Sequence, residues 1–252
     1  ELGGEQVEGR QAVRELLCAG RRPVKEIWMA EGSDPSPILA EIDRLARAQH
    51  VPLRLVSHRR LESVQGTESP QGVVAFAEEM AGVTLSDLVL AEQDRLAFIV
   101  VIDGVTDPQN LGAILRSAEC AGATGAAIPR HRSAHVTPAV TKAAAGAVEH
   151  LSLALVSGVP SALQELDELG VLTIGLDESA ETSLFELSLA ERPVAVVLGA
   201  EGRGLAALSR RRCSVLARLP IGGSIASLNV SAATAVACFE VARQRALPRA
   251  AT

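Results

Sequence analysis

The chain has 252 residues, of which 48% are apolar and 21% charged, with 21 Gly and 12 Pro spread along its length. That composition excludes a disordered, collagen-like or low-complexity protein and supplies a substantial core, as one large domain or two of ordinary size, with two expected. A net charge of −6 argues against a surface that coats polyanions generally, but it leaves a local RNA-binding patch open, because phosphate affinity follows the charge at the contact.

Taken in chain order, the pattern predicts a helix over 11–19, a strand over 24–29, a helix over 37–49, a strand over 53–56, a short helix from His58 and a strand over 73–76. This alternation implies a small layered α/β unit. Residues 78–95 lose strand character and carry several acids, and an apolar strand begins at Leu96–Ile102, which places a boundary near residue 90. The expected division is 1–80, a linker over 81–94, and 95–252. Beyond it the pattern predicts helices over 111–121, 138–148, 160–169, 205–212 and about 227–245. Strands are predicted over 125–128, 151–156, 171–176, 194–198 and 214–219. Strands that are apolar throughout and separated by helices indicate a mostly parallel sheet covered on both faces.

The acidity belongs to the N-terminal part: residues 1–94 hold 10 Lys+Arg against 16 Asp+Glu, and residues 95–252 hold 14 against 14. Nearly all the basic residues are arginine, the exceptions being Lys25 and Lys142, and arginine suits bidentate phosphate contacts. The longest strongly apolar run, Leu96–Ile102, is far short of the roughly 20 residues that span a bilayer. An N-terminus carrying Glu1, Glu5 and Glu8 reads as no signal peptide, so a cytoplasmic location is expected, with no membrane partner. Cys18, Cys120, Cys213 and Cys238 form no CxxC pair and read as reduced thiols. His131 and His135 have i,i+4 spacing but are followed by Pro138 and belong to no HExxH motif, so no metal is expected.

Ligands of open α/β sheets bind beyond the carboxyl ends of the strands, and three such loops are unusual. The first, Asp103-Gly-Val-Thr-Asp-Pro-Gln-Asn110, delivers Asn110 to the start of a helix, where it reads equally as an N-cap and as a site residue. Arg116, six residues on, lies away from the apolar stripe of Leu111, Ile114, Leu115 and Ala118. The second loop, Gly199-Ala-Glu201-Gly-Arg-Gly204, is glycine-rich without being a dinucleotide fingerprint. The third, from Leu219 to Ser231, brings Ser227, Leu228 and Asn229 to the start of the last helix, which Ser227 could cap. There is no GxxxxGK[ST] phosphate loop and no GxSxG elbow, so nucleotide hydrolysis and serine-hydrolase chemistry are disfavoured.

In order, the three loops resemble the signature motifs of the SpoU/TrmH class of SPOUT RNA ribose 2′-O-methyltransferases. The segments that carry the resemblance run from Asp103 to Ser117, from Leu198 to Leu205 and from Leu219 to Ser231. The Val7-Glu-Gly-Arg10 opening and the pattern to residue 77 are similar to the L30e-like substrate-binding domain of the members that methylate a guanosine ribose in 23S rRNA. The resemblance implies S-adenosylmethionine as methyl donor, a C-terminal trefoil knot, a homodimer packed through the knots, and RNA as substrate. It assigns Asn110, Arg116, Glu201, Ser227 and Asn229 to the reaction, and Gly199, Leu219, Ile221 and Leu228 to donor binding. Arg130, Arg132 and the Arg210-Arg211-Arg212 run are further candidates for RNA phosphates. The alternatives are a sister enzyme acting on tRNA or another 23S rRNA site, and a non-catalytic RNA-binding factor on the same fold.

Overall fold

The computed structural model describes residues 2–32, 36–67, 71–90, 95–131, 133–224 and 227–246, and its strands form two sheets. The first has the order β1-β4-β2-β3, where β1 is Gln6–Glu8, β2 Val24–Ala30, β3 Leu53–Val56 and β4 Val73–Ala77. Only the β2/β3 pair is parallel. Helices α1 (Arg10–Ala19) and α2 (Pro37–Ala48) bury Val13, Leu16, Leu17, Leu39 and Ile42 against Val7, Ile27, Val73 and Ala75 on one face. The other face is closed by Leu61 of α3 (His58–Glu62) over Trp28 and Val74, with Trp28 edge-on to Phe76 at 5.2 Å.

The second sheet is parallel throughout, in the order β10-β8-β9-β5-β6-β7. Its strands are β5 Phe98–Ile102, β6 Gly125–Pro129, β7 Ser152–Val156, β8 Leu172–Leu176, β9 Val194–Leu198 and β10 Val215–Ala217. Every residue of β5 and β9 is buried, as a strand covered on both faces requires. Phe98, Val100 and Ile102 meet helices α5 (Pro108–Cys120), α6 (Pro138–Ala143) and α9 (Val230–Ala246). Ile99 and Val101 meet α4 (Leu85–Leu90) and α7 (Val159–Glu168) on the other side. Helix α8 (Ala207–Arg212) precedes β10. No helix of the described residues is long and apolar enough to cross a membrane.

Several predicted elements shift. β1 and α4 were not expected. α4 opens with reciprocal bonds between Thr84 and Asp87, each backbone N–H donating to the other's side chain. The helix predicted over 138–148 stops at Ala143, because Ala145 and Gly146 turn to positive φ and a separate 3₁₀ turn follows at Ala147–Glu149. That break matters for the whole molecule. A Cβ on Gly146 would lie 3.0 Å from the Ala12 backbone and 2.6 Å from Glu15 Cβ, so the missing side chain lets α1 of the first unit seat directly on the second. His150 Nε2 and Glu15 Oε2 meet at 2.8 Å across the same junction.

Candidate active site

The reading of Asn110 as an N-cap is corrected by the structure: Asp107 caps α5, accepting from the backbone N–H groups of Gln109 and Asn110, with Pro108 in the first turn. Asn110 is thereby released for a longer-range contact. Its Nδ2 donates to Glu201 Oε2 at 3.1 Å, and its Oδ1 accepts from Asn229 Nδ2 at 3.2 Å. Asn229 Nδ2 also lies 3.5 Å from Glu201 Oε1. Three loops that leave different parts of the sheet thus meet in one triad of side chains. Asn229 Oδ1 accepts from the backbone N–H and hydroxyl of Ser231 at 2.9 and 2.6 Å, so Asn229, rather than Ser227, opens the last helix.

The loop after β9 is built for close backbone approach. Gly199 has no room for a side chain: a Cβ would lie 2.1 Å from the carbonyl carbon of Gly204 and 2.3 Å from the nitrogen of Leu205. Ala200 and Gly204 exchange backbone bonds at 3.0 and 2.8 Å, and Gly202 and Gly204 take positive φ, closing a tight turn around Glu201. Asp103 Oδ2 accepts from the Ala206 N–H at 3.0 Å and fastens the far side of this turn to the end of β5. Neither Asp103 nor Asp107 was singled out by sequence; the Asp-Pro pair at 107–108 is the signal that identifies the cap.

Arg116 stands on the exposed face of α5 and makes no hydrogen bond or ion pair among the described residues. Gly112, one helical turn earlier, lets α5 approach α6 so closely that a Cβ would lie 2.4 Å from that of Ala143. Ser227 is exposed, and Leu219 is half-buried against the core below α9. Ile221 and Leu228 leave 41% and 45% of their surface open, an unusual state for branched apolar side chains beside a hydrogen-bonded triad. Of the further basic candidates, Arg210 is engaged by Asp177 and Ser179 and Arg212 by Gln164 Oε1, while Arg211 is exposed and has no side-chain partner among the described residues. Arg132 lies outside the described residues.

Among the described residues no cluster of three or more His, Cys, Asp and Glu is arranged to hold a metal ion. A cavity of about 450 Å³ lined by Arg21, Arg95, Glu119 and His150 opens where the two units meet, and none of the three signature loops lines it.

A family model described as the SpoU rRNA Methylase family matches residues 97–239, and one described as RNA 2′-O ribose methyltransferase substrate binding matches residues 6–81. The chain belongs to the SpoU rRNA methylase family. The 23S rRNA (guanosine-2′-O-)-methyltransferase RlmB of Pseudomonas putida is 38% identical over 248 residues, covering 97% of this chain and 98% of its own. The RlmB of Xanthomonas campestris is 42% identical over 225 residues, with 88% and 89% covered. Among solved structures, the AdoMet-bound rRNA methyltransferase of Sinorhizobium meliloti superposes with a TM-score of 0.78 at 25% identity, over 96% of this chain and 88% of that one. Both sheets and their order along the chain therefore belong to the family's architecture.

Proposed function

We propose that the chain transfers the methyl group of S-adenosylmethionine to the ribose 2′-hydroxyl of a guanosine in 23S rRNA. The observation that carries this reading is the joining of the three signature loops through Asn110, Glu201 and Asn229, with an unpaired Arg116 on the helix whose first turn carries Asn110. The chain fits the donor. Gly199 lets the turn after β9 close with its backbone against Gly204 and Leu205, the exposed Ile221 and Leu228 offer apolar contact to an adenine, and Leu219 anchors the start of the third loop on the core. When bound, the donor supplies an electrophilic methyl group on a sulfonium.

The protein's own task is to align and activate a poor nucleophile. Arg116 binds the phosphate next to the target ribose and stabilises the alkoxide that develops at the 2′-oxygen. A guanidinium is effectively always protonated, so the hydroxyl proton passes to a phosphate oxygen or a water and not to Arg116. Asn110 and Ser227 orient the ribose and the arginine. Glu201 holds the two asparagines in register, and Asn229 fixes the third loop.

We divide the chain into an RNA-binding unit over 1–80, a connection over 81–94 and a catalytic unit over 95–252, in line with the two sheets and the two family matches. The catalytic unit carries the family's trefoil knot and pairs with a second copy. The exposed stripe of Ala232, Val236 and Phe239 on α9, at i, i+4 and i+7, supports that pairing. An rRNA substrate places the protein in the cytoplasm.

The test is transfer of labelled methyl from S-adenosylmethionine to unmodified 23S rRNA and to bulk tRNA, with the product nucleoside identified by mass spectrometry. The expected result is 2′-O-methylguanosine in 23S rRNA alone, lost in Arg116→Ala. Methylation of tRNA instead would move the protein to the tRNA-modifying members, and donor binding without transfer to either RNA would overturn the substrate assignment.

A further inference from the structure

The loops after β5, β6 and β9 leave the same edge of the sheet and are tied to one another. The Ala134 N–H and the Ser133 hydroxyl donate to Val105 O at 2.9 and 3.1 Å, joining the loop after β6 to the loop after β5. Asp103 and Asn110 join the loop after β5 to the turn that holds Glu201. The charges on this rim divide sharply. Each carboxylate is engaged internally: Asp103 by Ala206, Asp107 by the first turn of α5, and Glu201 by the two asparagines. The arginines are not. Arg130 and Arg203 are exposed, and like Arg116 their guanidinium groups have no partner among the described residues.

Exposed and without an internal partner, such arginines keep their whole charge available to an anion, and binding one breaks no existing ion pair. Arg203 projects from a five-residue turn, Ala200 to Gly204, whose backbone is fixed by three hydrogen bonds and two positive-φ glycines, and the Arg130 backbone is fixed by its N–H bond to Val156 O at 2.9 Å. Each fixed backbone places its cation on the same rim as the triad, and the neighbouring acids cannot neutralise it. By contrast Arg210 and Arg212, which also looked free in the sequence, are held by partners of their own.

We infer that Arg130 and Arg203 are backbone-phosphate contacts for the RNA, gripping the strand that carries the target ribose from the two loops that flank the one leading into α5. The inference rests on the reading of the chain as an RNA-modifying enzyme and adds which cations hold the substrate. Neither residue acts on the reacting atoms. Their contribution is uniform binding, so it appears in the RNA affinity and its salt dependence, with kcat at saturating RNA preserved.

The experiment is filter binding of full-length 23S rRNA transcript across 50–300 mM KCl, with S-adenosylmethionine affinity measured by calorimetry on the same preparations. Arg130→Ala and Arg203→Ala are each expected to lower the slope of log affinity against log salt by roughly 0.7–0.9, and the double variant by about twice that. Donor affinity stays within about twofold, and Arg192→Ala, at the opposite edge of the sheet, leaves the slope unchanged. Arg130→Lys and Arg203→Lys, which keep the charge, retain the wild-type slope. Wild-type slopes in both alanine variants would overturn the inference even if methyl transfer to 23S rRNA were confirmed. Absence of methyl transfer with the slopes reduced would instead overturn the functional reading and leave the phosphate contacts standing. If an alanine variant lost donor binding as well, its lysine counterpart would decide, since a reduced slope there with donor binding intact contradicts a charge contact.

Discussion

The guanidinium of Arg22, in the first unit, lies flat against the carboxylate of Glu149, in the second, with Nη2 to Oε1 at 2.6 Å and Nε to Oε2 at 3.0 Å. Both side chains are almost fully buried, at 7% and 2% exposure. Nη1 of the same arginine donates to the carbonyl of Gly4, next to the Leu2-Gly3 segment that packs on the second unit, and to that of Glu78, where the chain leaves the first. One side chain thus clips both segments that run from the first unit to the second. Because Glu149 ends the 3₁₀ turn that follows α6, and α6 packs on α5, the clip fixes the RNA-binding unit relative to the helix that carries Arg116.

Breaking that pair leaves a buried charge without compensation. Arg22→Ala is expected to lower the unfolding free energy by about 3–5 kcal/mol. Chemical denaturation checks it: a loss below about 1 kcal/mol would mean that the pair is solvated in solution, as surface pairs are. Glu149→Gln, which keeps a hydrogen-bond acceptor for Arg22, is expected to cost less than Arg22→Ala.

The triad predicts coupling. Because Asn110 and Glu201 share one hydrogen bond and both serve Asn229, Asn110→Ala and Glu201→Ala are each expected to lower kcat/KM for RNA. The double variant should fall short of the product of the two losses by about fivefold, a coupling on the order of 1 kcal/mol. A double-mutant cycle on methyl transfer reads this directly. Strict additivity would show that the contact between the loops is not maintained during turnover.

Much of the fold is legible because its strands are apolar from end to end: Phe98–Ile102 and Val194–Leu198 can only be buried on both faces. The misses have local causes. α4 is short, and its signal, Thr84 three residues before Asp87, is a capping box hidden among acids. The break after α6 is signalled by Gly146, yet its purpose, admitting α1, depends on a residue 134 positions earlier and leaves no trace in periodicity. The site divides in the same way. Motif residues identify the three loops, but the bond between Asn229 and Asn110, 119 positions apart, is a product of topology. Which arginines are free is equally invisible in sequence, since Arg210 looks as free as Arg203 until Asp177 is seen beside it.

Thiol reactivity tests the core. Burial pushes the thiols of Cys213 and Cys238 up to about 12, while Cys18 and Cys120 are exposed and are raised less, mainly by partial desolvation. At pH 8 a disulfide-exchange reagent is expected to modify two thiols of the native protein and all four after denaturation. Rapid modification of Cys238 in the native protein would contradict its placement on the buried face of α9.

Acid sensitivity follows from Glu240. The hydrogen bond from Arg243, helped by Gln244, holds its carboxyl below the ordinary glutamate value despite partial burial. A depressed folded-state pKa means that the stabilisation is complete above the ordinary value of about 4.3 and is lost as pH falls through the lower folded value. Glu240→Gln is therefore expected to lower stability most between pH 6 and 8, where the stabilisation is complete, and to flatten the fall in stability below pH 4.3. Thermal melts across that range check it, and an unchanged acid limb in the variant would assign the loss to other carboxylates.

Arg116→Lys separates charge from geometry at the centre of the proposed reaction. Lysine keeps a positive charge on α5 but replaces a planar fork of five donors with a single ammonium on a flexible stem. If Arg116 grips a phosphate in two places while stabilising the developing alkoxide, the lysine variant is expected to lose about 100-fold in kcat, the scale on which preorganised donors act in a site with little water. Donor affinity should be preserved, because Arg116 is not among the residues that fit the adenine. If Arg116 supplied only long-range attraction for RNA, the lysine, which keeps the charge, would leave both kcat and KM close to wild type at either ionic strength. Single-turnover methyl transfer at saturating RNA, measured at two ionic strengths, distinguishes the two. A kcat within a few-fold of wild type would remove Arg116 from the chemical step and leave it as an exposed cation like Arg130 and Arg203.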